Sequence, residues 1–154
     1  MDIDANLDKL GIELPEAPSP IASYVPAKRS GNQLYISGQL PLHAGKLIAM
    51  GSVPTVVTPE LAQEAARRCT INALAILRKQ VAGDWSKVVG AVRLGVFVQS
   101  EPGFAGQPTV ANGASELLQD VFGEAGRHAR AAVGVVALPL NATVEAEFLF
   151  EIKA

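Results

Sequence analysis

The run Ala129-Arg130-Ala131-Ala132-Val133-Gly134-Val135-Val136-Ala137-Leu138-Pro139, followed by a second apolar run over Val144–Ile152, decides the fold of this chain. Both runs have the length and the β-branched content of buried strands. Arg130 lies near the start of the first run and Glu145 near the start of the second. A charged side chain is tolerated in such a run when it is paired or binds a ligand, and a guanidinium matches a carboxylate in two-point fashion. A cation and an acid at the heads of two neighbouring strands therefore predict a small site for an anionic substrate.

The chain before these runs alternates between strand-like and helix-like segments. Thr58 and Pro59 are typical of a helix start, and Gly83 is typical of a stop. The predicted helices are 2–10, 58–82 and 108–122. The predicted strands are 21–27, 34–39, 47–53, 87–98, 129–138 and 143–152, with 47–53 as the hairpin partner of 34–39 and a tight turn joining the last two. This order predicts a single α+β domain with a mixed sheet and two main helices packed on one face.

The last two predicted strands are apolar on both faces, which is expected when both faces of a sheet are covered. Two helices can cover only one face. We therefore expect an oligomer in which copies of the chain bury the second face.

Length and composition limit the class of protein. The 154 residues are 49% hydrophobic and 18% charged, which suits one domain with a substantial core. The net charge of -2 argues against a nucleic-acid partner. One cysteine and two histidines argue against a disulfide framework and a structural zinc site. The sequence has no signal-like segment and no long apolar run, so we expect a cytoplasmic protein that does not engage a membrane.

Two motifs carry a resemblance to a known family. The pattern Arg130-x-x-Val133-x-Val135-x-x-Leu138-Pro139, followed by Val144-Glu145-x-Glu147, resembles the C-terminal signature of the RidA/YjgF family, which is also labelled endoribonuclease L-PSP. The segment Tyr35-Ile36-Ser37-Gly38-Gln39-Leu40-Pro41 resembles its first signature. The resemblance leaves 1–17 as an N-terminal extension and 18–154 as the family domain.

The resemblance implies a chorismate-mutase-like fold and a homotrimer with sites between subunits. It also implies hydrolysis of reactive enamines and imines, derived from 2-amino acids, to 2-keto acids and ammonia, with no metal or organic cofactor. By position, Arg130 matches the arginine that grips the substrate carboxylate, and Glu145 matches the acid that activates water. The residues that match substrate-binding positions are Tyr24, Ser37, Gly38, Asn112 and Ala132.

The chain also departs from the family pattern. Ala131 and Ala132 replace a hydroxyl residue and a cysteine, and Gly134 replaces an acid. The loop 99–107 is longer. These features are typical of a longer branch of the family. They predict a less polar pocket, and they do not indicate which substrate it binds.

Each candidate residue also has an alternative interpretation. Arg130 could form a structural salt bridge with Glu145 or Glu147, and Glu145 could be a solvated strand residue. Tyr24 could pack in an edge strand, and Ser37-Gly38 could be a turn or bulge. His128 could share the face of Arg130 and move protons, but a loop residue is the more common case. For the whole protein, the alternatives are a non-catalytic sensor of small carboxylates and a ribonuclease.

Overall fold

A computed structural model describes residues 2–18 and 23–154 of the chain. The helices in these residues are α1 (Ile3–Lys9), α2 (Pro59–Gln80) and α3 (Gln107–Phe122). The strands are β1 (Ala27–Ser30), β2 (Gln33–Gln39), β3 (Leu42–His43), β4 (Lys46–Leu47), β5 (Val88–Gln99), β6 (Ala129–Val135) and β7 (Val144–Ile152). Short 3₁₀ turns lie at Trp85–Lys87, Gly123–Gly126 and Pro139–Asn141.

The main sheet of the described residues has the strand order β1-β2-β7-β5-β6. The pair β5–β6 is parallel, and the other neighbours are antiparallel. The buried residues of the sheet face α2 and α3, whose own buried residues belong to the same core. The predicted α+β domain, with a mixed sheet and two main helices on one face, is therefore confirmed.

The prediction that the last two strands are neighbours is wrong, because β5 lies between β6 and β7. Residues 136–143 contain the 3₁₀ turn Pro139–Asn141, but they do not form a hairpin. They cross the end of β5, where Val98 and Gln99 pair with both strands or their flanks. Two strand spacings amount to roughly 10 Å. A crossing of that width needs more chain than a hairpin turn provides.

The start of α2 follows the predicted capping pattern. The side chain of Thr58 accepts a hydrogen bond of 3.2 Å from the backbone N–H of Leu61, and Pro59 occupies the first helical position. Leu61 itself is 42% exposed. The buried stripe begins one residue later, at Ala62.

Two other strand predictions need correction. The predicted strand 21–27 is replaced by β1, which begins at residue 27, so Tyr24 lies in a bend before the strand; residues 21 and 22 lie outside the described part. The predicted partner 47–53 does not pair with β2, because β1 and β7 occupy its two edges. Instead, β3 and β4 form a small hairpin of their own.

The segment predicted as an N-terminal extension packs on the rest of the domain. Ile3 and Leu7 of α1 are buried in the common core. The side chain of Asn6 donates a hydrogen bond of 2.9 Å to the carbonyl of Val121, and the indole of Trp85 donates one of 2.9 Å to Asp4. α1 therefore closes one end of the helical layer.

The sheet face opposite the helices stays partly open in the single chain. Tyr35 and Val133 are among its exposed large apolar residues, and Val136, just beyond β6, is 92% exposed. The expectation that another copy covers this face remains a prediction at this point.

Gly113 of α3 lies where α2 and α3 approach each other closely. A Cβ at this position would overlap the backbone carbonyl of Gln63 in α2. We expect Gly113→Ala to lower the free energy of unfolding by about 1–2 kcal/mol, because overpacking outweighs the better helix propensity of alanine. Chemical denaturation at fixed protein concentration measures the effect, with exposed Glu116→Ala on the same helix as the control. A more stable Gly113→Ala protein would contradict the close approach.

Candidate active site

Arg130 lies on the edge strand β6 with its side chain on the helix side of the sheet. Its Nη1 donates hydrogen bonds to Asn112 Oδ1 (2.9 Å) and Ser115 Oγ (3.0 Å), and its Nη2 donates to the carbonyl of Pro108 (3.2 Å). All three acceptors are neutral and belong to α3. A guanidinium has five N–H groups, so two are free of these contacts.

The alternative interpretation of Arg130 as half of a structural salt bridge is contradicted. No ion pair within residues 2–18 and 23–154 includes Arg130. Glu147 pairs instead with Arg93 on β5, at 2.9 Å. The guanidinium is thus a partly exposed cation whose contacts supply dipoles but no compensating charge, which is an arrangement that suits an anion.

Behind Arg130, two side chains continue the hydrogen-bond chain. Ser115 Oγ lies 3.0 Å from His128 Nε2, and His128 Nδ1 lies 2.6 Å from the carbonyl oxygen of Gly126. Ser115 was not singled out from the sequence, although its spacing of three from Asn112 puts both on one face of α3. The interpretation of His128 as an ordinary loop residue is also incomplete, since its ring is half-buried against α3.

These residues line an open polar cleft of about 400 Å³. Its walls also include Glu116, Gln119 and Arg127. Arg127 is paired with Glu124 at 3.1 Å, whereas Arg130 forms no ion pair with a carboxylate of the described residues.

Glu145 lies on the opposite face of the sheet. Its neighbours along β7, Val144 and Ala146, are buried beneath the helices, so the Glu145 side chain points the other way, as does that of Glu147. Burial raises the pKa of the Glu145 carboxyl, and the negative charge of Glu147 raises it further. A carboxyl with a raised pKa exchanges protons more readily near neutral pH.

Gly38 makes room for the Glu145 carboxylate. A Cβ at Gly38 would overlap Glu145 Oε1. The β2–β7 register shifts between Ile36 and Gln39, so the interpretation of Ser37-Gly38 as a bulge is confirmed. The bulge does not exclude a functional role, since it lets a β7 acid approach β2.

Ser37 connects this face to Tyr24. The Ser37 hydroxyl donates a hydrogen bond of 2.7 Å to the carbonyl of Val25, and its N–H donates one of 3.0 Å to the carbonyl of Pro26. Tyr24, 51% exposed, lines a cavity of about 580 Å³ together with Ser37. Its alternative interpretation as an edge-strand packing residue is therefore wrong, because it precedes the strand and lines a cavity.

The predicted site residues thus form two groups within one chain. Arg130 and Asn112 meet on the helix side, where Ala132 packs against the core. The other group comprises Tyr24, Ser37, Gly38 and Glu145. The expectation that Arg130 and Glu145 head neighbouring strands of one chain is wrong, because β5 separates them and they lie on opposite faces.

The loop before α3 accounts for the glycine at position 134, where the family pattern has an acid. Gln107 donates hydrogen bonds to Ser100 Oγ (3.2 Å) and to the carbonyl of Phe104 (2.8 Å), which fixes the loop beside β6. A Cβ at Gly134 would lie only 2.8 Å from the Gln107 amide nitrogen. The amide therefore occupies the space that a side chain at position 134 would need.

Other reactive groups do not form a site in the described part of the chain. Cys69 is fully buried, and burial raises the pKa of its thiol strongly, so the thiolate nucleophile is suppressed. Residues 2–18 and 23–154 contain no group of three His, Cys, Asp or Glu side chains that could hold a metal ion. Nor do these residues include a helix long and apolar enough to cross a bilayer.

Comparisons with known proteins agree with the fold. A family model described as "YjgF/chorismate mutase-like, putative endoribonuclease" matches residues 4–152. The crystal structure of the protein Atu1372 from Agrobacterium tumefaciens, itself described as of unknown function, superposes with a TM-score of 0.92 and 47% identity, covering 98% of this chain and 92% of that one.

Two curated relatives span nearly the same length. Protein TCP17 of Trypanosoma cruzi is 44% identical over 152 residues, which cover 98% of this chain and 94% of that protein. The 2-iminobutanoate/2-iminopropanoate deaminase of Dermatophagoides farinae is 29% identical over 142 residues, which cover 92% and 95%.

The environment of Glu145 makes stability depend on pH. A raised pKa means that the folded chain holds this proton more tightly than the unfolded chain, so the ionised group lowers stability as pH rises above its ordinary value of 4.5. We expect Glu145→Gln to stabilise the dissociated single chain relative to wild type, by an amount that grows from acid to neutral pH. Denaturation across this range measures it, with exposed Glu151→Gln on the same strand as the control. The same pH dependence in both variants would contradict the raised pKa.

Proposed function

Because the chain belongs to the YjgF/chorismate mutase-like family, we propose that it hydrolyses enamines and imines that carry a carboxylate, releasing a 2-keto acid and ammonia. The observation that carries the proposal is Arg130, a cation on the wall of an open cleft whose three protein contacts are all to neutral acceptors. The printed activity of the Dermatophagoides farinae relative, a 2-iminobutanoate/2-iminopropanoate deaminase, supports the same class of substrate.

Arg130 binds the substrate carboxylate in this proposal. Its Nη1 is fully used by Asn112 and Ser115, and one Nη2 hydrogen is used by Pro108. The Nε–H and the second Nη2–H remain for the two oxygens of a carboxylate, which form a two-point, charge-assisted contact. This contact holds the C=N carbon in a fixed position relative to the attacking water.

Glu145 acts as the general base for the attacking water. The carbon of a protonated imine is already electrophilic, so the reaction needs a placed water and a proton acceptor more than it needs activation of the substrate. The Glu145 carboxylate takes one proton as water adds to the C=N carbon, and the resulting acid returns it to the nitrogen. As the C–N bond breaks, the carboxylate takes the remaining hydroxyl proton, which leaves with the ammonia as ammonium. The products are a C=O group and ammonia, and a general acid–base of this kind contributes on the order of 10²–10⁴-fold.

A complete site in this proposal needs two copies of the chain. Arg130 and Glu145 lie on different strands and on opposite faces, roughly 10 Å apart in the sheet direction alone, so one substrate cannot contact both within a chain. The partly open sheet face, with Tyr35 and Val133 exposed, suits burial by another copy. We propose a homotrimer in which Arg130 of one subunit approaches Glu145 and Ser37 of the next, because a cyclic arrangement completes every site.

The carboxylate contact is tested with 2-iminopropionate generated in situ. We expect wild type to accelerate the release of keto acid, and Arg130→Ala to lower kcat/KM by about 10²-fold or more. Arg130→Lys keeps the charge but loses the planar fork, so it should fall between the two. Arg127→Ala is the matched control, since Arg127 lines the same cleft but is paired with Glu124.

Other results of this assay would favour different functions. Saturable binding of a keto acid that Arg130→Ala abolishes, without turnover by wild type, would favour the sensor of small carboxylates. RNA cleavage by wild type that Arg130→Ala abolishes would favour the ribonuclease. The net charge of -2 counts against the ribonuclease, since binding of a polyanion depends on basic groups.

The shared site is tested by mixing two inactive variants. Arg130→Ala and Glu145→Gln each remove one half of every site, so the separate proteins should be inactive. In co-expressed mixtures, about a quarter of the sites should combine an intact Arg130 with an intact Glu145 from the neighbouring copy, and activity should return to that extent. Sedimentation should give three times the mass of the chain. A monomer mass, or mixtures that stay inactive while assembled, would contradict the shared site.

A further inference from the structure

We propose that Ser115 and His128 are positioning residues that hold the Arg130 guanidinium ready for the substrate carboxylate. The inference rests on the proposed function and adds two residues to it. Neither residue contacts the substrate in this proposal. Both act through Arg130.

The hydrogen-bond directions in this group follow from the chemistry of the partners. The carbonyl of Gly126 can only accept, so His128 Nδ1, 2.6 Å away, carries the hydrogen. In the neutral ring Nε2 is then an acceptor, and the Ser115 hydroxyl donates to it across 3.0 Å. This leaves a lone pair of Ser115 Oγ directed at Arg130 Nη1, which donates to it at 3.0 Å.

The chain of bonds fixes the plane of the guanidinium. An arginine side chain on an edge strand loses about 2 kcal/mol of rotamer entropy when it is ordered, and this loss weakens binding if the substrate must order it. Ser115 and Asn112 together use both hydrogens of Nη1, so rotation about the Nε–Cζ bond would break two hydrogen bonds at once. His128 in turn prevents the Ser115 hydroxyl from donating elsewhere.

The same pair of residues could be compared with a serine nucleophile and its histidine base, but two features argue against that role. Ser115 is only 7% exposed within α3, which leaves little room for an attacked carbon. Its oxygen also accepts a hydrogen bond from the cationic Arg130, which withdraws the electron pair that a nucleophile needs.

The histidine offers a matched pair of variants. A glutamine amide reaches as far from the backbone as Nε2, and an asparagine amide reaches only as far as Nδ1. His128→Gln therefore keeps an acceptor for Ser115 and loses the bond to Gly126, whereas His128→Asn keeps the bond to Gly126 and loses the one to Ser115. If the contact to Ser115 matters, glutamine rescues and asparagine does not.

Steady-state kinetics with 2-iminopropionate provide the first readout. We expect Ser115→Ala and His128→Asn to raise KM about tenfold with kcat within about twofold of wild type, as a lost positioning hydrogen bond would. His128→Gln should stay near wild type, as should Asp120→Asn, an exposed control on α3 that does not line this cleft. Loss of kcat at unchanged KM in Ser115→Ala would identify a nucleophile and overturn the proposal, as would unchanged kinetics in both Ser115→Ala and His128→Asn.

A second readout does not need turnover. The ¹⁵N and ¹H NMR signals of the Arg130 side chain report rotation about the Nε–Cζ bond in the ligand-free protein. Hindered rotation in wild type and His128→Gln, with free rotation in Ser115→Ala and His128→Asn, supports the positioning role even if the proposed reaction fails. Free rotation in wild type overturns it while leaving the proposed reaction untouched.

Discussion

The parallel pairing of β6 with β5 determines where the candidate site residues lie. Parallel neighbours cannot be joined by a hairpin, so the chain must leave β5, cross the sheet as α3 and return as β6. That crossover lays α3 beside the edge strand and brings Asn112 and Ser115 to Arg130. Because β5 pairs with β7 on its other side, β6 is the outer strand and β5 lies between Arg130 and Glu145. The position of β5 between its two neighbours therefore separates the arginine cluster from the acid.

Much of the fold could be predicted from local signals. The cap at Thr58 predicted the start of α2, and Gly83 predicted its end to within three residues, since the helix ends at Gln80. The valine-rich run after residue 87 predicted β5, because these signals act between residues close in sequence. The β6–β7 adjacency was wrong for the opposite reason. Which strands become neighbours depends on long-range pairing, and an eight-residue connection contains no local signal that distinguishes a hairpin from a crossing over a third strand.

In the candidate site, too, local motifs could be predicted from the sequence, whereas long-range contacts could not. Arg130, Glu145 and Gly38 were identified through motifs, but their separation onto two faces was not. Ser115 and His128 were missed or given little weight because their contacts join residues 13 to 15 positions apart, which only the tertiary structure brings together. The glycine at position 134 could be read from the sequence. The reason that a side chain does not fit there is the Gln107 amide, whose position depends on how the loop before α3 folds back.

Cys69 gives the molecule an internal reporter. It is the single cysteine of the chain, and it lies fully buried on α2 with its Sγ 3.9 Å from the carbonyl of Val144 on β7. Because reagents attack only an accessible thiolate, labelling in native buffer must wait until α2 parts from the sheet. The rate at which a thiol reagent modifies the natural protein therefore measures how often its core opens beside the strand that carries Glu145, without any engineered probe.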